Sequence, residues 1–319
     1  ALTVTLTFKK NEKTAYIFPG QGSQSVGMGL DLYRKSRAAR GIFEQVDAAL
    51  GRSLTKLIFE GPDDELRETV NAQPAIMAVS LACIEAMRGE CGSLNIPDAY
   101  MMAGHSLGEY TALAAAKVLG VTDSVMLVQK RGELMQAACE RNPGTMAAVL
   151  GLDEMVLEEI ARESGVYVSN INTTEQIVIS GHKMAVARAM DMALTRGAKK
   201  VIPLKVGGAF HSGLMDPAKL ELQKLLWEMD FRDPEVPIIA NCTGRPLMTS
   251  EEIKEELVSQ MSGCVQWKRT VDQMISSGVT NFLEIGPGKA LSGMVKRISG
   301  DANVASVTDM ESITALSRT

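Results

Sequence analysis

The stretch AYMMAGHSLGEYTALAAAKVLG, residues 99 to 120, settles the class of fold. Its opening, AYMMA, is a short apolar run of strand character, and EYTALAAAKVLG is rich in helix formers and closes at Gly120. Between them stands GHSLG, a G-x-S-x-G pattern at a strand-to-helix junction. At such a nucleophile elbow the serine, Ser106, sits on a strained turn with its Oγ exposed at the edge of the sheet. The glycines two residues to either side let the backbone bend tightly. The helix that begins behind Ser106 also aims backbone N–H groups at developing negative charge.

The same pattern recurs on either side of this stretch. AYIFPG at 15 to 20, PIIANCTG at 237 to 244, NFLEIGPG at 281 to 288 and NVASVT at 303 to 308 are short apolar runs followed by turn residues. Runs without polar alternation suit strands covered on both faces, with the helical stretches between them as crossovers of a parallel sheet. PAIMAVSLACIEAMRGE is apolar nearly all round and predicts a buried helix started by Pro74. From 145 to 206 the order changes to strand, helix, strand, strand, helix, strand: TMAAVLGL, DEMVLEEIARES, VYVSNIN, EQIVISG, HKMAVARAMDMALTRG, KKVIPLKV. That is the order of a ferredoxin-like unit. The expectation is a large α/β domain made of residues 1–142 and 207–319, with 143–206 inserted as a small subdomain.

Bulk properties narrow the function. The 319 residues carry a net charge of −5 with both signs interspersed, so no basic face offers itself to nucleic acid or an acidic membrane surface. No apolar run approaches 18 residues, and the opening ALTVTLTFKKNEK places its basic residues after the apolar ones, the reverse of a secretory signal. A cytoplasmic protein is expected, and a monomer. The cysteines Cys83, Cys91, Cys139, Cys242 and Cys264 are scattered and odd in number, with no C-x-x-C pair. They suit a reducing compartment and argue against a zinc knuckle or a disulfide scaffold. No metal and no cofactor is expected.

A serine nucleophile needs a base, and the chain has three histidines. His105 adjoins the nucleophile and at an elbow points away from it. His182, in SGHKMA, suits a surface or capping role. His211, in GGAFHSGLMDP, follows the small subdomain and is the base by elimination; a positioned base is worth about 10² to 10⁴ in rate. An acyl-serine mechanism also needs two oxyanion donors. One is the N–H of Leu107, and the other comes from a loop after an early strand. IFPGQGSQSVGMG, residues 17 to 29, fits that place. As a dinucleotide loop it fails: Ser25 stands where the third glycine belongs, and DLYRKSRAARGIFEQVDAALG repeats apolar residues at helical spacing where a second strand is required. Taken alone, the loop reads as a plain strand-to-helix turn; beside a serine nucleophile it would be the donor of the Gln21 N–H, worth about 3 kcal/mol to the transition state.

Taken in order, FPGQGSQ, AGHSLGEY, QKRGELMQ, AFHS, CVQW and LEIGPGKAL, spanning about residues 14 to 298, resemble the malonyl-CoA:acyl carrier protein transacylases and the acyltransferase domains of polyketide synthases. The resemblance implies a hydrolase-like parallel-sheet large domain with a ferredoxin-like insert. It implies that Ser106 is acylated by malonyl-CoA, and that His211 takes its proton and helps pass the acyl group to the phosphopantetheine thiol of an acyl carrier protein. By the same resemblance Arg131 pairs with the free malonyl carboxylate, Gln21 and Leu107 form the oxyanion pair, and Asn172 lies near the active site. Gln266 is expected to supply the backbone carbonyl that orients the histidine. Phe210, the bulky residue before His211, accompanies malonyl over methylmalonyl selection, a preference worth about 1 to 3 kcal/mol. GPGKAL lacks the first glycine of a phosphate loop, because Leu283 stands there, and reads as a turn of the family.

Two departures from the family pattern stand out: Ala72-Gln73-Pro74 where many members have Thr-Gln-Pro, and the Gly207-Gly208 pair before the base. Three other readings stay open. An ordinary serine hydrolase uses the same elbow, with a carboxylate behind the histidine. A catalytically silent carrier-protein-binding module would share the fold, and an acyltransferase serving polyketide synthases in trans would share the catalytic blocks.

Overall fold

The structure, a computed structural model, describes residues 11–90 and 96–317. The reading of the opening ALTVTLTFKK and of Cys91 lies outside the described residues. The described strands are β1 (Lys13–Phe18), β2 (Ala99–Gly104), β3 (Thr145–Leu150), β4 (Tyr167–Ile171), β5 (Gln176–Gly181), β6 (Lys200–Pro203), β7 (Ile238–Ile239), β8 (Pro246–Leu247), β9 (Val279–Ile285) and β10 (Asn303–Val307). They form two sheets, so the protein is mixed α/β with a parallel core and a separate antiparallel sheet.

The larger sheet has the order β10-β9-β1-β2-β7-β8, and every pairing is parallel except the short β7–β8 hairpin. Its first five strands in that order are the five continuous apolar runs. Alternate residues divide between its two faces: Tyr16 and Phe18 join one apolar cluster, Ala15 and Ile17 the other, where they meet Trp267 and Phe282. Both faces are therefore covered, which is why these strands lack polar alternation. DLYRKSRAARGIFEQVDAAL forms two helices, Leu30–Lys35 and Arg37–Leu50, and not the second strand of a nucleotide fold.

The apolar helix runs Thr69–Glu90, packed between the helices Arg37–Leu50 and Val121–Arg141. By length and composition it is one that could cross a membrane, but most of its surface is buried in the core. Pro74 lies inside this helix and does not start it, contrary to the sequence expectation. The turn before it is held from outside: Asn71 and Ala72 donate their N–H groups to Glu68 O, and an added Cβ on Gly132 would meet Val70 Cα at 3.1 Å. That extra turn carries Gln73 into the core.

The smaller sheet has the order β4-β5-β3-β6, antiparallel throughout, and its elements follow the strand, helix, strand, strand, helix, strand order of the sequence. Ala147, Val149, Ile177 and Ile179 pack beneath the helices Glu154–Ser164 and Lys183–Thr195, while Met146, Ala148 and Val178 turn toward the main body. One strand edge is pinned to the large unit, where Val265 N–H donates to Ser169 O (2.8 Å) and Ile171 N–H to Val265 O (2.9 Å). A cleft of about 460 Å³ opens between this sheet and the carboxyl ends of β1 and β2. The carboxyl ends of parallel strands are where α/β sheets bind ligands.

Candidate active site

The elbow has no room for anything but glycine at its two flanks. A Cβ on Gly104 would lie 1.9 Å from Gly108 C, and one on Gly108 would lie 2.1 Å from Phe18 O. Ser106, between β2 and the helix Leu107–Ala115, has φ 54° and ψ −108°. Asn241, fully buried just past β7, fastens the turn. Ser106 N–H donates to its Oδ1 (2.8 Å), and its Nδ2 donates to Gly104 O (2.7 Å).

His211 Nε2 lies 2.7 Å from Ser106 Oγ, and His211 Nδ1 lies 2.8 Å from Gln260 O. A carbonyl only accepts, so Nδ1 carries the proton and Nε2 is left to accept from the serine hydroxyl. The orienting carbonyl belongs to Gln260, which corrects the expectation for Gln266. Gln260 sits in the last turn of the helix Ser250–Ser262, where carbonyls lack intrahelical partners. Gln266 O is already used, accepting from Thr270 N–H in the first turn of the next helix, while Gln266 N–H holds Asn241 O at 2.7 Å. Among described non-glycine residues only Ser106, Lys117 and His211 have positive φ. Strain of roughly 1–3 kcal/mol per such residue, at both members of one hydrogen-bonded pair, marks a functional site.

Burial pushes the His211 imidazole down to about 3, with the Arg131 cation adding to the effect and the bond to Gln260 opposing it. The ring is a neutral base across the physiological range. The unfolded chain takes up this proton near the ordinary histidine value and the folded one does not. Stability contributed here is therefore present above about pH 6.5 and lost as pH falls toward about 3. We expect His211→Asn to remove part of the acid sensitivity of unfolding over that window, on the order of several kcal/mol. Urea titrations at pH 7 and 4.5 check it; the same loss of stability in both proteins would refute this role for the ring.

Arg131, on the helix Val121–Arg141, is buried at 1% exposure. Nη1 donates to Gln73 Oε1 (2.8 Å) and Nη2 to Gln260 Oε1 (2.8 Å), and Nη2 lies 3.5 Å from Ser106 Oγ. The guanidinium lies 4.9 Å from the Tyr110 ring centroid, and Nε has no hydrogen-bond partner. Both acceptors are neutral amides. A buried cation held this way, with donors unspent beside a nucleophile, is matched by an anionic ligand.

The loop after β1 lies against the elbow: a Cβ on Gly20 would stand 2.3 Å from His105 O and 3.7 Å from Leu107 N. Among the described residues the N–H groups of Gln21 and Leu107 have no hydrogen-bond partner. Gln21 is fixed instead through its side chain, Nε2 donating to Thr69 Oγ1 at 3.0 Å. His105 points away from Oγ, its Nε2 donating to Asn172 Oδ1 (2.8 Å) and its ring set against Trp267. His182 is exposed at the start of the helix Lys183–Thr195. Phe210, Asn172, Gln21 and Met135 line the cleft with the dyad. Gly208 has a packing reason, since a Cβ there would lie 2.0 Å from Cys139 Sγ; Gly207 faces open space. GPGKAL is no phosphate site: the Glu284 carboxylate occupies that helix start, accepting from Ser292 N–H (2.8 Å) and Leu291 N–H (3.3 Å).

A family profile described as the acyl transferase domain matches residues 15–318. The chain is 44% identical over 306 residues to the malonyl CoA-acyl carrier protein transacylase of Bacillus subtilis, covering 94% of this chain and 95% of that one. This chain belongs to the malonyl-CoA:acyl carrier protein transacylase family. Among solved structures of the family, the acyl-carrier-protein-S-malonyltransferase of Bartonella henselae superposes with a TM-score of 0.92 at 42% identity, covering 96% of this chain and 98% of that one. A type II PKS acyl-carrier protein in complex with its malonyl-transacylase gives a TM-score of 0.92 at 37% identity, covering 97% and 100%.

Three residues that fasten Ser106, His211 and Arg131 were missed by sequence reasoning: Gln260, Asn241 and, as a ligand of Arg131, Gln73. Each carried one weak signal, a polar side chain at a core-facing position. Gln260 follows Ile253 and Leu257 on the buried stripe of its helix, and Asn241 ends an apolar strand run.

Proposed function

We propose that the chain transfers a malonyl group from malonyl-CoA, through an ester on Ser106, to the phosphopantetheine thiol of an acyl carrier protein. This is a step of fatty acid or polyketide biosynthesis. The observation that carries the reading is the buried Arg131 guanidinium, held by neutral amides, 3.5 Å from the Ser106 oxygen.

Ser106 gives its proton to His211 Nε2 as Oγ attacks the thioester carbonyl. The N–H groups of Gln21 and Leu107 bond the resulting oxyanion, and CoA leaves with the proton from Nε2. The carrier thiol then gives its proton to the same nitrogen and attacks the ester, and Ser106 recovers it as the malonyl thioester departs. A malonyl carboxylate on Arg131 neutralises the cation that depresses His211, so the base strengthens when substrate is seated. Phe210 and Asn172 border the acyl chain. The chemistry uses no cofactor and no metal, and the cytoplasm, with a monomeric enzyme, is the proposed setting. The frame proposed for it is a hydrolase-like large domain, residues 1–142 and 207–319, with a ferredoxin-like insert at 143–206. The antiparallel order β4-β5-β3-β6 supports the latter.

The partner of His211 Nδ1 favours transfer over plain hydrolysis by a carboxylate triad, because it is a backbone carbonyl. Quenched-flow measurement of CoA release tests the reading. Without acceptor we expect one equivalent of CoA per enzyme and then a slow phase; with a phosphopantetheinylated carrier, continuous turnover. Rapid turnover without the carrier would establish a hydrolase, and no release at all would revive a silent binding module.

A further inference from the structure

Glu109, three residues beyond the nucleophile on the helix Leu107–Ala115, is completely buried. Its carboxylate touches neither the cleft nor the dyad. Oε2 accepts from Asn241 N–H at 2.9 Å, and Oε1 accepts from Gln260 Nε2 at 3.3 Å. Both partners belong to the site. Asn241 clamps Ser106 N and Gly104 O. Gln260 serves three catalytic groups at once: its backbone carbonyl takes His211 Nδ1, its Oε1 takes Arg131 Nη2, and its Nε2 donates to Ser106 O at 2.8 Å.

The donor–acceptor pattern makes this arrangement directional. Arg131 only donates, so the Gln260 amide must turn its oxygen that way and its NH₂ group toward Ser106 O and Glu109. Burial, with the Glu256 carboxylate adding to it, pushes the Glu109 carboxyl well above the usual carboxylate range, but each of its oxygens keeps lone pairs to accept with in either protonation state, so it meets two N–H donors without conflict. A glutamine at the same place has one oxygen and one NH₂ group, so one of the two contacts becomes donor against donor.

We infer that Glu109 is a positioning residue for substrate selection. It locks the Gln260 amide and the Asn241 clamp, and through them holds the Arg131 guanidinium at the depth where a malonyl carboxylate reaches it. This rests on the proposed malonyl specificity and adds a determinant to it.

The experiment compares wild type, Glu109→Gln, Arg131→Ala and the double variant in acylation by malonyl-CoA and acetyl-CoA, with the concentration of competent sites counted by a fluorophosphonate serine probe. In Glu109→Gln the malonyl-to-acetyl preference per competent site is expected to fall at least about tenfold, the scale of one buried hydrogen bond. In the Arg131→Ala background the same substitution should leave the preference unchanged, because the two act through one group. An unchanged preference, whether both rates fall equally because Glu109 only packs or neither falls, would overturn the inference. If wild type shows no malonyl preference, the functional reading fails instead, and the two failures are distinct. Should Glu109→Gln not fold, Glu109→Met, of similar length but without an acceptor for Asn241 N–H or Gln260 Nε2, carries the same test. Loss of preference supports the relay, and its retention overturns it.

Discussion

Ser106→Ala is expected to form no acyl-enzyme and to lower transfer by on the order of 10⁶, the scale seen when a nucleophile is removed from a serine hydrolase. The side chain is the only part of the elbow at stake. Ser106 N–H still donates to Asn241 Oδ1, and Ser106 O still accepts from Gln260 Nε2. Alanine also meets the same positive φ of 54° without a new penalty relative to serine, so the fold should survive. Stopped-flow detection of CoA release with malonyl-CoA and carrier measures the effect. Activity within about 10² of wild type would mean that another group takes the acyl chain.

Arg131→Ala should have the largest effect on selectivity. The guanidinium is buried, so an acetyl group bound in its place leaves a cation without an anionic partner, at a cost of about 3 to 5 kcal/mol against malonyl. That is about two to four decades, at about 1.4 kcal/mol per decade. Removing the cation should therefore cost malonyl transfer and let uncharged acyl groups gain relative ground. The variant also strands Gln73 Oε1 and Gln260 Oε1 and empties the space over Tyr110, so a lower melting temperature accompanies the change. Competition between malonyl-CoA and acetyl-CoA reads the selectivity free of stability, because both substrates meet the same folded fraction. An unchanged malonyl preference would count against the assignment.

The parts of the site that were legible in the sequence are those built locally. The elbow announces itself because strand, glycines, serine and helix are contiguous, and because the glycines are forced by contacts within that turn and with β1. The sheet was legible because strands buried on both faces have no polar alternation to confuse with surface. His211 emerged because three histidines leave little choice once one adjoins the nucleophile and one begins a helix. The orienting carbonyl did not, and the reason is physical. Every residue has a carbonyl, so no side chain marks the one that matters; it is selected by where a helix stops, here at Ser262, and by a hydrogen bond spanning 49 residues. Gln260 and Asn241 reach Ser106 across 154 and 135 residues, separations to which no periodicity extends. Pro74 escaped the local rule for a related reason: intrinsic preference puts proline at a helix start, and packing of Val70 on Gly132 carried the helix further.

All of the proposed chemistry requires that an ester on Ser106 carry malonate between two thiols. Intact-protein mass spectrometry after a pulse of malonyl-CoA, followed by a chase with phosphopantetheinylated carrier and peptide mapping of the adduct, observes that ester itself. One malonyl adduct per chain is expected, located on Ser106 and leaving for the carrier during the chase. An adduct on another residue, or one on Ser106 that the carrier fails to remove, would refute the mechanism.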